Sequence, residues 1–436
     1  MALEASKTSY GSLIKRLNKF PQGAPPSYLL YDILKILFSE QDARLVARLP
    51  IRVFTARRAA AAWNVNLAKS RRLLDRLCKK ALLVDMIQQN RRLYCLPPPM
   101  AGFLEFSLMR ARPDLPQKTL AELLHRYITV EEDFARDLFA RGQTQLGRVY
   151  VREPQIPSAL SSHVLDYERA THILKSARVI GISRCYCRHK LSHLNQACDA
   201  PQEICMTLNI TGASLIRHGH ARRARPGEAL DLLDRAYANN LVQFGENVRE
   251  EPNFICHCCK CCCVGMQAAR RFALDHPVHS TGFVPRLENE QCSGCGKCTR
   301  HCPVEAIQIT ATVTEGGNTI RKAAIKADIC LGCGICVRNC PAGALTLQAA
   351  SQRLVTPLNT AHRVILMAIE RNCLQNIVFD NQVLFSARAL AALLGVIFRL
   401  PPAKQILASK QLRSRYLETM IERLQWQPVF EAEETG

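Results

Sequence analysis

Two runs of cysteine carry the strongest chemical signal in the chain. Cys292, Cys295, Cys298 and Cys302 follow the spacing C-x2-C-x2-C-x3-C, with Pro303 after the last. Cys330, Cys333, Cys336 and Cys340 repeat it ahead of Pro341, every position offset by 38 residues. Ala306 and Ile307 recur as Ala344 and Leu345, so the segment is an internal two-fold repeat. A short Cys-x2-Cys-x2-Cys loop wraps three corners of a cubane cluster. The fourth cysteine, held before a proline, leaves that loop and ligates the other cluster. This rule gives one [4Fe–4S] cluster to Cys292, Cys295, Cys298 and Cys340, and a second to Cys330, Cys333, Cys336 and Cys302. Gly294, Gly296, Gly332 and Gly334 keep the loops slim enough for backbone N–H groups to approach sulfur. Zinc is the competing chemistry, but structural zinc usually takes pairs of cysteines, not four in eleven residues twice over.

Ten further cysteines precede the repeat. Cys185, Cys187, Cys198 and Cys205 form one group; Cys256, Cys258, Cys259, Cys261, Cys262 and Cys263 form another, six in eight residues. An amphipathic helix near Pro226–Asn240 is long enough to return the chain, so the groups can meet. Arg184, Arg188, Lys260 and His257 would help keep thiolates ionised there. The expectation is one or two further iron–sulfur clusters, a non-cubane cluster or zinc, with iron–sulfur preferred because the repeat is itself an iron–sulfur site. Neighbours such as Cys258 and Cys259, or Cys261, Cys262 and Cys263, cannot all face one metal. Cys78, Cys95 and Cys373 stand alone and read as small buried hydrophobes.

The 436 residues are enough for roughly three domains. With 48% hydrophobic and 22% charged residues the composition is that of a folded globular protein, and 6% aromatics leave the core to Leu, Ile, Val and Ala. Sixteen of the 21 cysteines lie between Cys198 and Cys340. A secreted disulfide scaffold would be short and preceded by an export signal. Met1 to Lys7 carry no apolar run, and the longest one, Ala389 to Leu400, falls short of the roughly 20 residues a bilayer needs. A cytoplasmic chain with reduced or metal-bound thiols is expected, with no transmembrane segment.

The positioning elements read as α+β. Residues 28–97 form a basic unit: an amphipathic helix over Tyr28–Leu49, a short helix capped by Thr55, and a second from Leu67 to Lys80 capped by Asn66. Strands flanking Gln88-Gln-Asn90 complete it. This order resembles a winged helix. Residues 100–180 read as a helical connection, 181–284 as a mainly helical cysteine-rich metal region, and 286–350 as the small βαβ repeat. Ala311–Asp328 reads as an extra hairpin, and 360–425 as a helical C-terminal region ahead of a disordered tail.

The stretch 286–350 resembles bacterial two-cluster ferredoxins at every ligand. That resemblance implies low-potential one-electron transfer with a redox partner protein. The chain as a whole is similar to long, cysteine-rich, ferredoxin-type iron–sulfur proteins of anaerobes. Pro97-Pro-Pro-Met-Ala-Gly102, Cys185-Tyr-Cys-Arg-His189, Leu241-Val-Gln-Phe-Gly-Glu-Asn247 and Phe254-Ile-Cys-His-Cys-Cys259 carry it. His257 departs from the Asn usual in that pattern, and is either an added ligand or without a role.

Charge frames the alternative. Formal net charge is +21, and residues 1–99 hold 18 basic against 6 acidic side chains. Such a region suits nucleic acid, an acidic protein or an anionic surface. Lys69, Arg71, Arg72 and Arg76 lie on the second helix, where a winged helix would meet DNA or a partner; Arg91 and Arg92 on the wing would reach phosphate. The leading expectation is an iron–sulfur electron carrier. The alternative is a redox-sensing transcription regulator, and a weaker third is a factor donating metal from Cys256–Cys263. There is no G-x-G-x-x-G and no P-loop, so a two-electron donor would be another protein. A central centre that itself accepted electrons for chemistry would make the chain an oxidoreductase, although no acid–base set names a substrate.

Overall fold

The computed structural model describes residues 8–139, 141–271, 280–313, 319–350 and 356–378. Most of the expected C-terminal helical region, the run Ala389–Leu400, the tail and the tip of the 311–328 hairpin lie outside the described residues. The protein mixes helix and sheet, and among the described residues no helix is long and apolar enough to cross a membrane.

The N-terminal helices follow their caps. Helix α1 spans Ser9–Leu17. The single helix expected over Tyr28–Leu49 is instead two, α2 (Tyr28–Leu37) and α3 (Glu40–Val46). Phe38 turns extended and Ser39 accepts the Asp42 N–H, so a new cap restarts the helix where periodicity alone saw continuity. Strand β1 (Phe54–Thr55) leads into α4 (Ala56–Trp63), capped by Thr55; Asn64 ends it in the left-handed region. Asn66 then caps α5 (Leu67–Lys79) through the Lys69 N–H. Strands β2 (Val84–Gln88) and β3 (Arg91–Cys95) close a tight hairpin through left-handed Gln89 and Asn90, in a sheet of order β1-β3-β2. Helices α6 (Gln117–His125) and α7 (Glu132–Phe139) share one apolar cluster with α2: Leu30 and Leu34 with Leu120, Leu124 and Phe134.

The middle of the chain corrects the mainly helical expectation for 181–284. It is built on a six-stranded antiparallel sheet, order β4-β8-β9-β6-β5-β7. The strands are β4 (Gly147–Val149), β5 (Ile180–Arg184), β6 (Glu203–Leu208), β7 (Arg222–Ala224), β8 (Val242–Glu246) and β9 (Phe254–Cys258). These runs are three to six residues long, too short for periodicity to stand out. Helices α8 (Ala170–Ser176) and α11 (Pro226–Ala238) bury Ile173, Leu174 and Leu233 against Ile182, Met206 and Ile255 on one face. Side chains alternate across a strand, so Cys205, Cys256 and Cys258 emerge on the opposite face. Helices α9 (Tyr186–Ser192) and α10 (Asn209–Arg217) follow β5 and β6, and α12 (Val264–Arg271) follows the last cysteine of the second group.

In the repeat, β10 (Phe283–Leu287) pairs with β13 (Leu345–Ala349), and β11 (Ile307–Val313) with β12 (Thr319–Ile325). The expected inserted hairpin is thus an extension of the inner strand pair. Short helices α13 (Lys297–His301) and α14 (Ile335–Arg338) start after left-handed Gly296 and Gly334. Two C-terminal helices, α15 (Thr360–Glu370) and α16 (Leu374–Val378), share an apolar cluster with Ile51 and Phe20, and Arg363 of α15 pairs with buried Glu246 of β8 at 2.9 Å.

Candidate metal centres

The repeat encloses two cavities. One, of about 350 Å³ and open to solvent, is lined by Cys292, Cys295, Cys298 and Cys340, with Ile309 of β11 and Ala323 of β12 among its walls. The other, of about 320 Å³, is lined by Cys302, Cys330, Cys333 and Cys336. Cys302 therefore sits away from its own loop and with the second one. Backbone donors face the sulfurs: Gly332 N–H reaches Cys330 Sγ at 3.4 Å and Ala306 N–H reaches Cys302 Sγ at 3.2 Å. The Lys297 backbone N–H pulls the exposed Cys295 thiol below its usual range, whereas burial pushes Cys330 up to about 11 and Cys333 up to about 12. Such buried thiols ionise when a metal supplies the opposing charge. The donor sets and cavity walls fit clusters of this kind.

Residues 291–344 match the family model described as a 4Fe-4S dicluster domain. No curated protein and no solved structure matches the chain, so the wider resemblance carried by Cys185-Tyr-Cys-Arg-His189 and its companions has no support from them.

The two cavities are not equivalent. Cys295 is exposed and opens the first to solvent, while the second faces the middle of the protein. Arg270 Nη1 donates to Lys260 O at 2.6 Å and to Pro303 O at 2.8 Å, and Lys260 pairs with Glu305 at 3.3 Å. The chain just past Cys302 is thereby fastened to the central cysteine loop. Arg338 of α14 donates to Ala238 O at 3.2 Å, and buried Arg152 lies beside Cys333.

The ten central cysteines do meet, and they divide. Cys198, Cys259, Cys261 and Cys262 bring their sulfurs within 4.8 Å of one another. Cys185, Cys187, Cys263 and Cys258 form a second row of neighbouring thiols, the last two buried and the first two half-buried. Cys205 and Cys256, cross-strand on β6 and β9, place their sulfurs 3.7 Å apart. Vicinal cysteines diverge: Cys258 and Cys263 face one set, the three between them the other.

Arg188 explains how these thiols can carry charge. Its side chain is fully buried on α9, donates from Nη1 to His257 O at 3.2 Å, and forms no ion pair with a carboxylate among the described residues. Burial opposes its charge, but the thiols of Cys185, Cys259 and Cys258 around it outweigh burial and raise it above its ordinary value. The contacts from Cys261 and Cys262, and then Arg188, draw Cys259 far below the usual thiol range. Lys190, also buried, faces Cys187, Cys263 and Cys262. Sequence reasoning found Arg188 but missed Lys190; its place three residues after Cys187 on a helix was the available signal. His257 does not join them. It points to the other face of β9, both ring nitrogens lack partners, and burial with Arg188 nearby pushes it down to about 3. Lys260 is spent on Glu305.

Cys78, Asp85 and His218 also converge closely enough to hold an ion. Asp85 is already saturated: Ser214 Oγ, Arg217 and Arg92 all donate to it at 2.7 Å. Two guanidinium groups there oppose a third cation, so the cluster is an ion-pair hub joining the β2–β3 hairpin to α10. Cys373 is buried as expected, whereas Cys95 is only half-buried.

The basic helix is partly committed. Lys69, Arg71 and Arg72 are exposed. Arg76 is instead tied to buried Asp42 at 2.6 Å, and Ser70 is buried, its hydroxyl donating to Ala56 O. Arg92, expected on a phosphate-reaching wing, pairs with Asp75 at 2.6 Å and with Asp85. Asp42 and Asp85 lie on other elements, so spacing along α5 does not disclose them; Asp75 is on α5 itself.

Proposed function

We propose that the protein is an iron–sulfur electron-transfer protein holding two [4Fe–4S] clusters, one on Cys292, Cys295, Cys298 and Cys340 and one on Cys302, Cys330, Cys333 and Cys336. The observation that carries this reading is the pair of cavities, each lined by three cysteines of one motif and the fourth of the other. Bound there, such clusters supply one-electron transfer. The chain's own residues set a direction. The solvent-open cavity at Cys295 is the entry for a redox partner, and the inner cavity leads through the Arg270, Lys260 and Glu305 contacts to the row Cys185, Cys187, Cys258 and Cys263, the candidate receiving centre. Lys297 and exposed Arg321 flank the outer loop, so the partner is expected to be acidic and its reaction to slow with added salt.

Iron and acid-labile sulfide on anaerobically purified protein test this directly. The dicluster reading needs about 8 of each per chain, and a further central cluster needs about 4 more. A chain without iron that still folds would overturn it.

The regulator reading draws on residues 28–97, whose order of two helices, a strand, two helices and a hairpin we take as winged-helix-like. Four exposed basic residues on α5, Lys69, Arg71, Arg72 and Lys79, favour it; the tethering of Arg76 and Arg92 weighs against it. DNA affinity that depends on sequence, falls with salt and changes with cluster state would promote it over electron transfer.

A further inference from the structure

The ten central thiols differ in spacing, and spacing separates a single ion from a cluster. One tetrahedral ion bound at about 2.3 Å by four thiolates holds its sulfurs about 3.8 Å apart. A cubane presents a different iron to each cysteine, so its ligands stand farther apart. The repeat calibrates this within the same chain: among the described residues, no three sulfurs of either cavity set come within 4.8 Å of one another. Cys198, Cys259, Cys261 and Cys262 all do. Cys262 Sγ lies 3.8 Å from Cys198 Sγ and 3.6 Å from Cys261 Sγ, near the tetrahedral edge and well beyond a disulfide bond. The Cys262 backbone N–H reaches Cys259 Sγ at 3.4 Å, the kind of donor that supports a metal-bound thiolate.

We propose that Cys198, Cys259, Cys261 and Cys262 bind one zinc ion in a closed tetrahedral site, distinct from the iron–sulfur sites. A d¹⁰ ion without directional preference suits four thiolates. Four thiolates on a divalent ion leave two negative charges, and Arg188 sits buried against Cys259 to offset them. The iron–sulfur preference drawn from the sequence for these four is thereby revised. The site staples the Cys198 loop to the 259–262 turn, and that turn sets the positions of Cys258 and Cys263 on either side. The zinc is structural: it holds the neighbouring thiol row in place and takes no part in redox chemistry.

The test uses the full chain, purified without oxygen and with zinc and iron both supplied in the growth medium. Metal analysis should find one zinc per chain beside the iron. Zinc-edge X-ray absorption should show four sulfurs at about 2.3 Å and no neighbouring metal. Cys198→Ser and Cys261→Ser should each remove most of the zinc and leave the iron of the repeat unchanged. Cys295→Ser should do the reverse, which rules out zinc misplaced in a ferredoxin-type cavity. Iron in this set, as a single ion or a cluster lost in Cys198→Ser, overturns the proposal. So does a zinc-free chain with these thiols titratable or disulfide-linked. The absorption spectrum of the unaltered protein decides even where a variant fails to fold. Failure here leaves the dicluster reading standing, because that reading is judged on iron alone.

Discussion

Replacing Arg188 with Met reads out the charge state of the thiols around it. The guanidinium is buried, with one hydrogen bond to His257 O, and the thiols of Cys185, Cys259 and Cys258 surround it. If those thiols are protonated, Arg188 is an unpaired buried cation. Desolvation then dominates, and an apolar side chain of similar volume is neutral or stabilising by about 1–4 kcal/mol. If they are metal-bound thiolates, the substitution leaves buried negative charge uncompensated and destabilises by about 3–5 kcal/mol. The lost hydrogen bond costs about 1 kcal/mol in both states and cancels between them. The expected outcome is therefore a change of sign. Arg188→Met should lower the denaturant midpoint of the metal-replete protein and shed central metal. After chelator stripping it should leave the midpoint unchanged or raise it. Denaturation curves on both forms, with metal content on the same samples, make the comparison. A stabilised metal-replete variant, or equal shifts in both forms, would refute the argument that these thiols are held as anions.

The crossed ligand sets predict that Cys302→Ser removes iron from the inner site although Cys302 belongs to the first motif, and that Cys340→Ser empties the outer one. Each should cost about 4 of 8 iron atoms, with electron paramagnetic resonance of the reduced protein naming the surviving cluster. Gly332 has φ +64°, and an added Cβ would overlap Phe283 O and Thr281 Oγ1. Gly332→Ala should strip the inner cluster while leaving the outer, and unchanged iron would show that the loop yields. Asp85→Asn should detach the β2–β3 hairpin from α10 at a cost of about 3 kcal/mol, read by Trp63 fluorescence in a Trp426→Phe background. Burial alone would raise the Asp85 carboxyl. Hydrogen bonds from His218, Ser214 and Arg92, with the charge of Arg217, hold it well below the usual range. Its contribution is fully present above the unfolded-chain value of about 3.9 and is lost as pH falls through the folded value. The wild-type hairpin should thus loosen in acid and the variant show no such step.

The cysteine repeat was legible without coordinates because its information is local: eleven residues suffice to wrap three corners of a cluster and to throw the fourth ligand out of the loop. The Thr55 and Asn66 caps and the hairpin at Gln89-Asn90 were legible for the same reason, since a cap or tight turn is settled within a few residues of chain. The break at Ser39 was equally local, and was overlooked because apolar spacing ran on past it. The rest depended on pairing at a distance. Strands of three to six residues acquire an identity only when partners from elsewhere complete their hydrogen bonds, so the six-stranded sheet was read as mainly helical. The basic face of α5 lost Arg76 to Asp42, a residue on another helix. The ten central cysteines announced a metal region by density alone. Their division into a compact tetrad, a second row and a cross-strand pair came from alternation across β9 and from a loop bringing Cys198 to Cys262. Ligand type is written in the chain, but the distance between ligands, which chooses one ion or a cluster, is set only when the fold closes around them.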